Sequence, residues 1–313
     1  MAYHRPARMA GTLIAAAALL ASAAACGGAS DPAPASTAES AESAPAESAA
    51  PLFRNPVALQ LYSLRDSFEK EGVPATLAKV RAMGFSHVEL AGTYGLTREA
   101  FKAALDEAGL TPVSMHADIN ALLADPAPIV SDAKFFGIEY VGNAWFPHEG
   151  TFDADDAARA IDAFNTVGRA LQAEGLTFFY HAHGFEFAPA DGPDGGTLFD
   201  TIVAETDPDA VKFQLDIFWA YHGSADPVAL IRRYPDRFVS THLKDMKPGT
   251  AKDFSGSAPD DSSVALGSGE VPVAAVLEAA RDSSIEWHII EEESPEPERH
   301  IPDGLAYLKT LGP

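Results

Sequence analysis

From Leu52 onward one pattern repeats along the chain. A short apolar run is followed by a polar loop, then a stretch with apolar residues every three or four positions, then a glycine and the next apolar run. The apolar runs at 57–64, 87–91, 111–117, 140–145, 177–183, 211–219, 238–244 and 287–292 read as strands. The spacing of Leu77, Val80 and Met83, and of Ala160, Phe164, Val167 and Leu171, predicts helices between them. Gly84, Gly109, Gly137 and Gly175 stand just ahead of apolar runs, where a glycine past a helix end takes a left-handed cap cheaply. Strands alternating with helices require a parallel sheet with crossover helices, an α/β fold. Eight such units within residues 52–313 fit a (β/α)8 TIM barrel of about 250 residues. The competing open sheet lacks its usual marker, a Gly-x-Gly-x-x-Gly after the first strand.

Ahead of this domain the pattern changes twice. Residues 1–25 carry a basic start (His4, Arg5, Arg8) and an Ala-rich apolar run from Leu13, a signal-peptide layout too short for a confident membrane span. Residues 26–51 combine Ala, Ser, Pro and Glu with almost no large apolar side chain and read as a flexible tether. Cys26 follows Ala23-Ala24-Ala25 and precedes Gly27-Gly28, which resembles the lipobox of a bacterial lipoprotein. That resemblance implies an exported protein held at a membrane by a lipid anchor on Cys26, on the periplasmic or cell-surface side. Plain secretion is the alternative.

Composition narrows the function. With 22 Lys and Arg against 45 Asp and Glu, the formal charge is −23, and no basic patch offsets it, which speaks against nucleic acid as a partner. One cysteine rules out an internal disulfide framework and a Cys-rich zinc module.

In such a barrel the active site lies at the C-terminal ends of the strands. The polar residues there are mostly metal-ligand types: Glu89, His116, His181 and His183 with Glu186, Asp216, His242 with Lys244, and Glu291 with Glu293. The period-2 rule of strands places His181 with His183, His242 with Lys244, and Glu291 with Glu293 on shared faces. Asp216 sits between Leu215 and Ile217, and a charge buried there needs a cation or a base beside it. Mixed carboxylate and imidazole donors suit one divalent ion, Mn, Co, Zn, Fe or Mg, without choosing among them. Tyr62, Trp145, Phe146, Phe185 and Trp219 lie near the same ends. Trp145, flanked by Asn143, Pro147 and His148, is the best placed to stack on a sugar ring.

At these residues the chain resembles the xylose-isomerase-like barrel superfamily of sugar phosphate isomerases and epimerases. The matching stretches are Val88-Glu89-Leu90, Tyr180-His181-Ala182-His183-Gly184-Phe185-Glu186-Phe187, Leu215-Asp216, His242-Leu243-Lys244-Asp245, Ile290-Glu291-Glu292-Glu293 and Gly267-Ser268-Gly269-Glu270-Val271. The resemblance implies a divalent metal on Asp216, His242 and Glu291, with Glu186 favoured as the donor following the fifth strand and His181 near the metal. It implies catalytic roles for Glu291, Glu293, His183 and Lys244, and substrate contacts from Glu89, His116, Trp145 and Trp219. The expected reaction is isomerisation or epimerisation of a sugar or keto-sugar through a metal-stabilised ene-diolate. Two readings stand beside it: a lyase or dehydratase of a keto-polyol or 3-keto-glycoside, and a carbohydrate-binding lipoprotein without activity. Export weighs against a phosphorylated substrate.

Overall fold

A computed structural model describes residues 52–190 and 195–312; the expected signal peptide, Cys26 and the tether lie outside the described residues. Eight parallel strands close into a barrel in chain order: Ala58–Gln60, His87–Leu90, Thr111–His116, Tyr140–Asn143, Thr177–His181, Val211–Asp216, Phe238–Leu243 and Trp287–Ile290. The eighth strand pairs with both the seventh and the first. Most apolar side chains pack between this barrel and its surrounding helices, while Ala58, Val113 and Ile289 form a small cluster of their own.

Gly84, Gly109, Gly137 and Gly175 all adopt positive φ, between 68° and 107°, so the predicted stops are where each chain segment turns back toward the barrel. Helix Ala154–Gln172 starts from a capping box, in which the Asp153 side chain accepts from the main chain of Asp156 while the Asp156 carboxylate accepts from that of Asp153.

Several strands end earlier than their apolar runs. The first gives way to a 3-10 turn at Leu61–Leu64. The sixth stops at Asp216, whose carboxylate accepts from the main-chain N–H of Phe218 and Trp219 and so starts helix Ile217–His222. The fifth ends at His181, the seventh at Leu243 and the eighth at Ile290. His183, Lys244, Glu291 and Glu293 therefore stand in the loops beyond the strands, where the period-2 rule no longer assigns them a face.

Two register shifts shape the barrel interior. Val88 pairs with Pro112 but Glu89 with Ser114, and Phe213 pairs with Phe238 but Gln214 with Ser240. The extra residues, Val113 and Val239, are bulges that bring Ser114 opposite Glu89 and Ser240 opposite Gln214.

Gly168, in the middle of Ala154–Gln172, lets that helix lie against the start of the sixth strand: an added Cβ would come within 2.5 Å of the Ala210 carbonyl oxygen. A Gly to Ala change inside a helix ordinarily stabilises by about 1 kcal/mol. Here the obstacle is backbone, and overpacking costs about 1–3 kcal/mol. We expect Gly168→Ala to lower the melting temperature, read by differential scanning calorimetry; a rise would show that the helix can move away freely.

Candidate active site

His181, Asp216, His242 and Glu291, drawn from the ends of four neighbouring strands, each offer a donor atom, and these atoms all lie within 4.8 Å of one another. All four residues are buried. Glu186 is not among them. After His181 the chain turns at Gly184, with φ of 98°, and carries Glu186 to the phenol of Tyr180, whose hydroxyl donates to its carboxylate. The main-chain N–H of His183 donates to the same carboxylate at 3.1 Å. Burial pushes the Glu186 carboxyl up to about 7, partly offset by these donors. Of the two residues expected at the fifth strand, His181 is in the donor group, while Glu186 is held by Tyr180, whose ring packs against Phe164 of the long helix.

Asp216 shows why the group fits a cation. Its Oδ1 caps the following helix, at 2.8 Å from Phe218 N and 3.0 Å from Trp219 N, but its Oδ2 is buried with no hydrogen-bond partner. Burial raises its pKa to about 7. An anionic oxygen without a donor, beside an imidazole and a second carboxylate, is a site a divalent ion satisfies.

The two histidines are oriented from beneath. Glu89 is enclosed inside the barrel, where it accepts from Gln60 Nε2 at 2.7 Å, Ser114 Oγ at 2.6 Å and Gln214 Nε2 at 2.9 Å. Since the Gln214 amide nitrogen faces that carboxylate, its oxygen must be the acceptor for His181 Nδ1 at 2.8 Å. The His181 proton therefore sits on Nδ1, which leaves the Nε2 lone pair open, 3.9 Å from Asp216 Oδ2. Burial holds His181 well below the usual imidazole range, hence neutral. His242 is opposite in character. Burial would lower its pKa, but Glu291 and Glu89 raise it to about 10, with Nδ1 at 3.1 Å from Glu291 and Nε2 at 2.6 Å from Glu89. Burial likewise works against the Glu89 anion, yet His116 and His242 hold its pKa down to about 2.

Above this group opens a cavity of about 410 Å³. His116, Asn143, Trp145, His183, Glu291 and Glu293 are on its wall, and Trp145 is 43% exposed. Asn143 Oδ1 and His183 Nδ1 are buried without partners. Three expectations change here. Glu89 is fully enclosed and supports His242 and Gln214 rather than reaching substrate. Trp219 is buried and lines a neighbouring, smaller cavity. Lys244 is also on that smaller cavity, its ammonium paired with Glu293 and 4.9 Å from the ring centroids of Phe218 and Trp219, so it does not meet the main cavity directly. Gln60, Ser114, Gln214 and Ser240 were not anticipated. Gln214, two residues before Asp216 in an apolar strand, carried the one available signal: it shares the face of Asp216.

A model of the xylose isomerase-like TIM barrel family matches residues 77–311. Inosose dehydratase of Geobacillus kaustophilus is 30% identical over 93 residues, 28% of this chain and 27% of that protein. Inosose dehydratase of Lacticaseibacillus casei is 24% identical over 163 residues, 50% of this chain and 52% of that protein. The chain thus matches about half or less of the length of these curated relatives. A sugar phosphate isomerase/epimerase from Parabacteroides distasonis superimposes with a TM-score of 0.68 at 22% identity, over 81% of this chain and 93% of that one. A xylose isomerase-like TIM barrel protein from Mycobacterium smegmatis in complex with magnesium superimposes at 0.62 and 16% identity, over 82% and 96%.

Two outcomes follow from the donor geometry. Asp216→Ala and His242→Ala should each lose stoichiometric divalent metal while Glu186→Gln keeps it, read as metal per chain by mass spectrometry after dialysis; metal loss in Glu186→Gln alone would reverse the assignment. Metal affinity should also fall with pH. His242, with a pKa of about 10, must give up its Nδ1 proton to act as a donor, and Asp216, with one of about 7, must be ionised. Both requirements have the same sign, so between pH 8 and pH 6 the affinity should drop by about 100-fold or more. Calorimetry in buffers of different ionisation enthalpy counts the released protons, and a pH-independent affinity would contradict this account.

Proposed function

The chain belongs to the xylose isomerase-like TIM barrel family, and from that membership we propose a metal-dependent isomerase or epimerase acting on a sugar or keto-sugar. The observation that carries the proposal is the unpaired Oδ2 of Asp216 among three further donors, two of which, His181 and Glu291, line a cavity sized for a small polar ligand. A divalent ion on His181, Asp216, His242 and Glu291 would supply Lewis-acid polarisation of a carbonyl oxygen, which acidifies the neighbouring C–H.

The remaining work falls to the chain's own groups. Trp145 offers an exposed ring at the cavity wall for the apolar face of a sugar. The Asn143 amide donates to the Ala117 carbonyl at 3.1 Å, which fixes its orientation and leaves Oδ1 as an unpaired acceptor for a substrate hydroxyl. Burial takes the His183 pKa to about 3 and makes it a weak base, so its unpaired Nδ1 is left to hydrogen-bond a substrate hydroxyl, and removal of the carbon-bound proton falls to Glu293. Glu293 lies on the same cavity, located by its pair with Lys244, and can return a proton or pass one to a leaving group.

A dehydratase is the second reading, and the relatives named inosose dehydratase favour it. It would use the same proton abstraction and then expel a β-hydroxyl as water. Metal-loaded protein incubated with keto-sugars and keto-inositols in D2O should place deuterium on carbon, seen by NMR. An unchanged formula then indicates an epimerase or isomerase, and loss of water a dehydratase. No exchange with any of these compounds would refute both. Glu293→Gln should keep the metal but lower turnover about 10²-fold, the usual scale for losing a general acid or base; turnover near wild type with a lower melting temperature would make the Lys244 pair purely structural.

A further inference from the structure

Beside the main cavity lies a second one of about 190 Å³. The two share Glu293 as a wall residue. At the same boundary the Arg65 guanidinium, on the second cavity, lies 4.3 Å over the ring of Tyr62, on the first. The second cavity is closed on one side by residues 256–260. That segment is seated firmly: Gly256, at φ of 66°, packs so closely that an added Cβ would be 2.6 Å from the Phe185 ring.

Two side chains lining this cavity hold polar groups with nothing to bond. Trp219 and Ser263 are 7% and 5% exposed, and Trp219 Nε1 and Ser263 Oγ are buried without partners. A buried donor left unsatisfied is costly and is ordinarily paired. The charges on the walls balance, with Arg65 and Lys244 against Glu293 and Asp260. An anion there would meet two carboxylates, whereas a neutral polyol both donates and accepts and meets no net field.

We propose that this second cavity binds a further sugar or polyol unit, so that the site takes a glycoside of two or more units, with the reacting unit in the main cavity and the second beyond the Glu293–Lys244 pair. Trp219 and Ser263 would then be specificity-determining residues. The placement of the reacting unit rests on the function proposed above, while the binding of the second unit does not.

The test uses the full chain loaded with metal. Disaccharides of glucose, galactose and mannose are titrated by calorimetry beside their component monosaccharides. At least one disaccharide should bind tenfold or more tightly than its components. Ser263→Ala, which removes a hydroxyl that no other residue uses, should cut that advantage about 3- to 10-fold, the usual effect of one hydrogen bond. Trp219→Phe should do the same and serves as the independent variant. The proposal is overturned if no disaccharide outbinds its components, or if both variants leave the advantage unchanged. Deuterium exchange run on the same samples separates the two ideas. Exchange on keto-monosaccharides without a disaccharide preference keeps the reaction and refutes the second subsite. A preference abolished by Ser263→Ala without any exchange keeps the subsite and refutes the reaction.

Discussion

The Glu89 carboxylate is the group on which the site's geometry depends. A charge so deep in a barrel costs several kcal/mol to desolvate, and here the cost is met by Gln60, Ser114, Gln214 and His242 acting together. Each of these comes from a different strand. Glu89 therefore ties the first, third, sixth and seventh strands to the second at one level of the barrel. It also decides chemistry one step removed, since the Gln214 amide that it orients selects the His181 tautomer, and its own bond to His242 Nε2 leaves Nδ1 toward Glu291. A carboxylate that never reaches the cavity thus sets which nitrogen of each histidine can face a cation.

That arrangement is bought by two departures from regular pairing. The bulges at Val113 and Val239 place Ser114 against Glu89 and Ser240 against Gln214, and without them each serine would sit one position out of register. Bulges near active sites re-aim side chains in this way. They explain why the barrel and most of its donors were legible in the sequence while the supporting network was not. Alternating hydrophobicity marks a strand and its inward residues, as for His181 and Asp216. A one-residue slip leaves no trace in that alternation, so Ser114 and Ser240 read as ordinary strand residues. Glu186 shows the same limit: the resemblance that favoured it carries no record of the turn at Gly184, which takes its carboxylate to Tyr180. Lys244 and Glu293, past the ends of their strands, could be named from sequence but not aimed.

Long-range electrostatics and the local site also act at different scales. A formal charge of −23 draws cations toward the molecule and repels anionic substrates. At physiological ionic strength that field fades within about 8 Å of exposed charges. Inside the barrel the balance is struck pair by pair. His242 carries an extra proton between Glu89 and Glu291, and that proton does for the two carboxylates what a cation would do. Proton and metal are then competitors for one position.

The satisfied and unsatisfied polar groups near the site are divided between two levels. Beneath the donor group Glu89, Gln214 and both serines are paired. Within it Asp216 Oδ2, and around it Asn143 Oδ1, His183 Nδ1, Trp219 Nε1 and Ser263 Oγ, are buried and unpaired. A fully satisfied network is rigid, and a set of unsatisfied groups is a demand for hydrogen bonds that the chain itself does not supply. Placed one above the other, they give a site whose donors are held before any ligand arrives. The ordering cost that loosens most binding sites is met during folding, through Glu89, and the unpaired atoms are left to be satisfied by what binds.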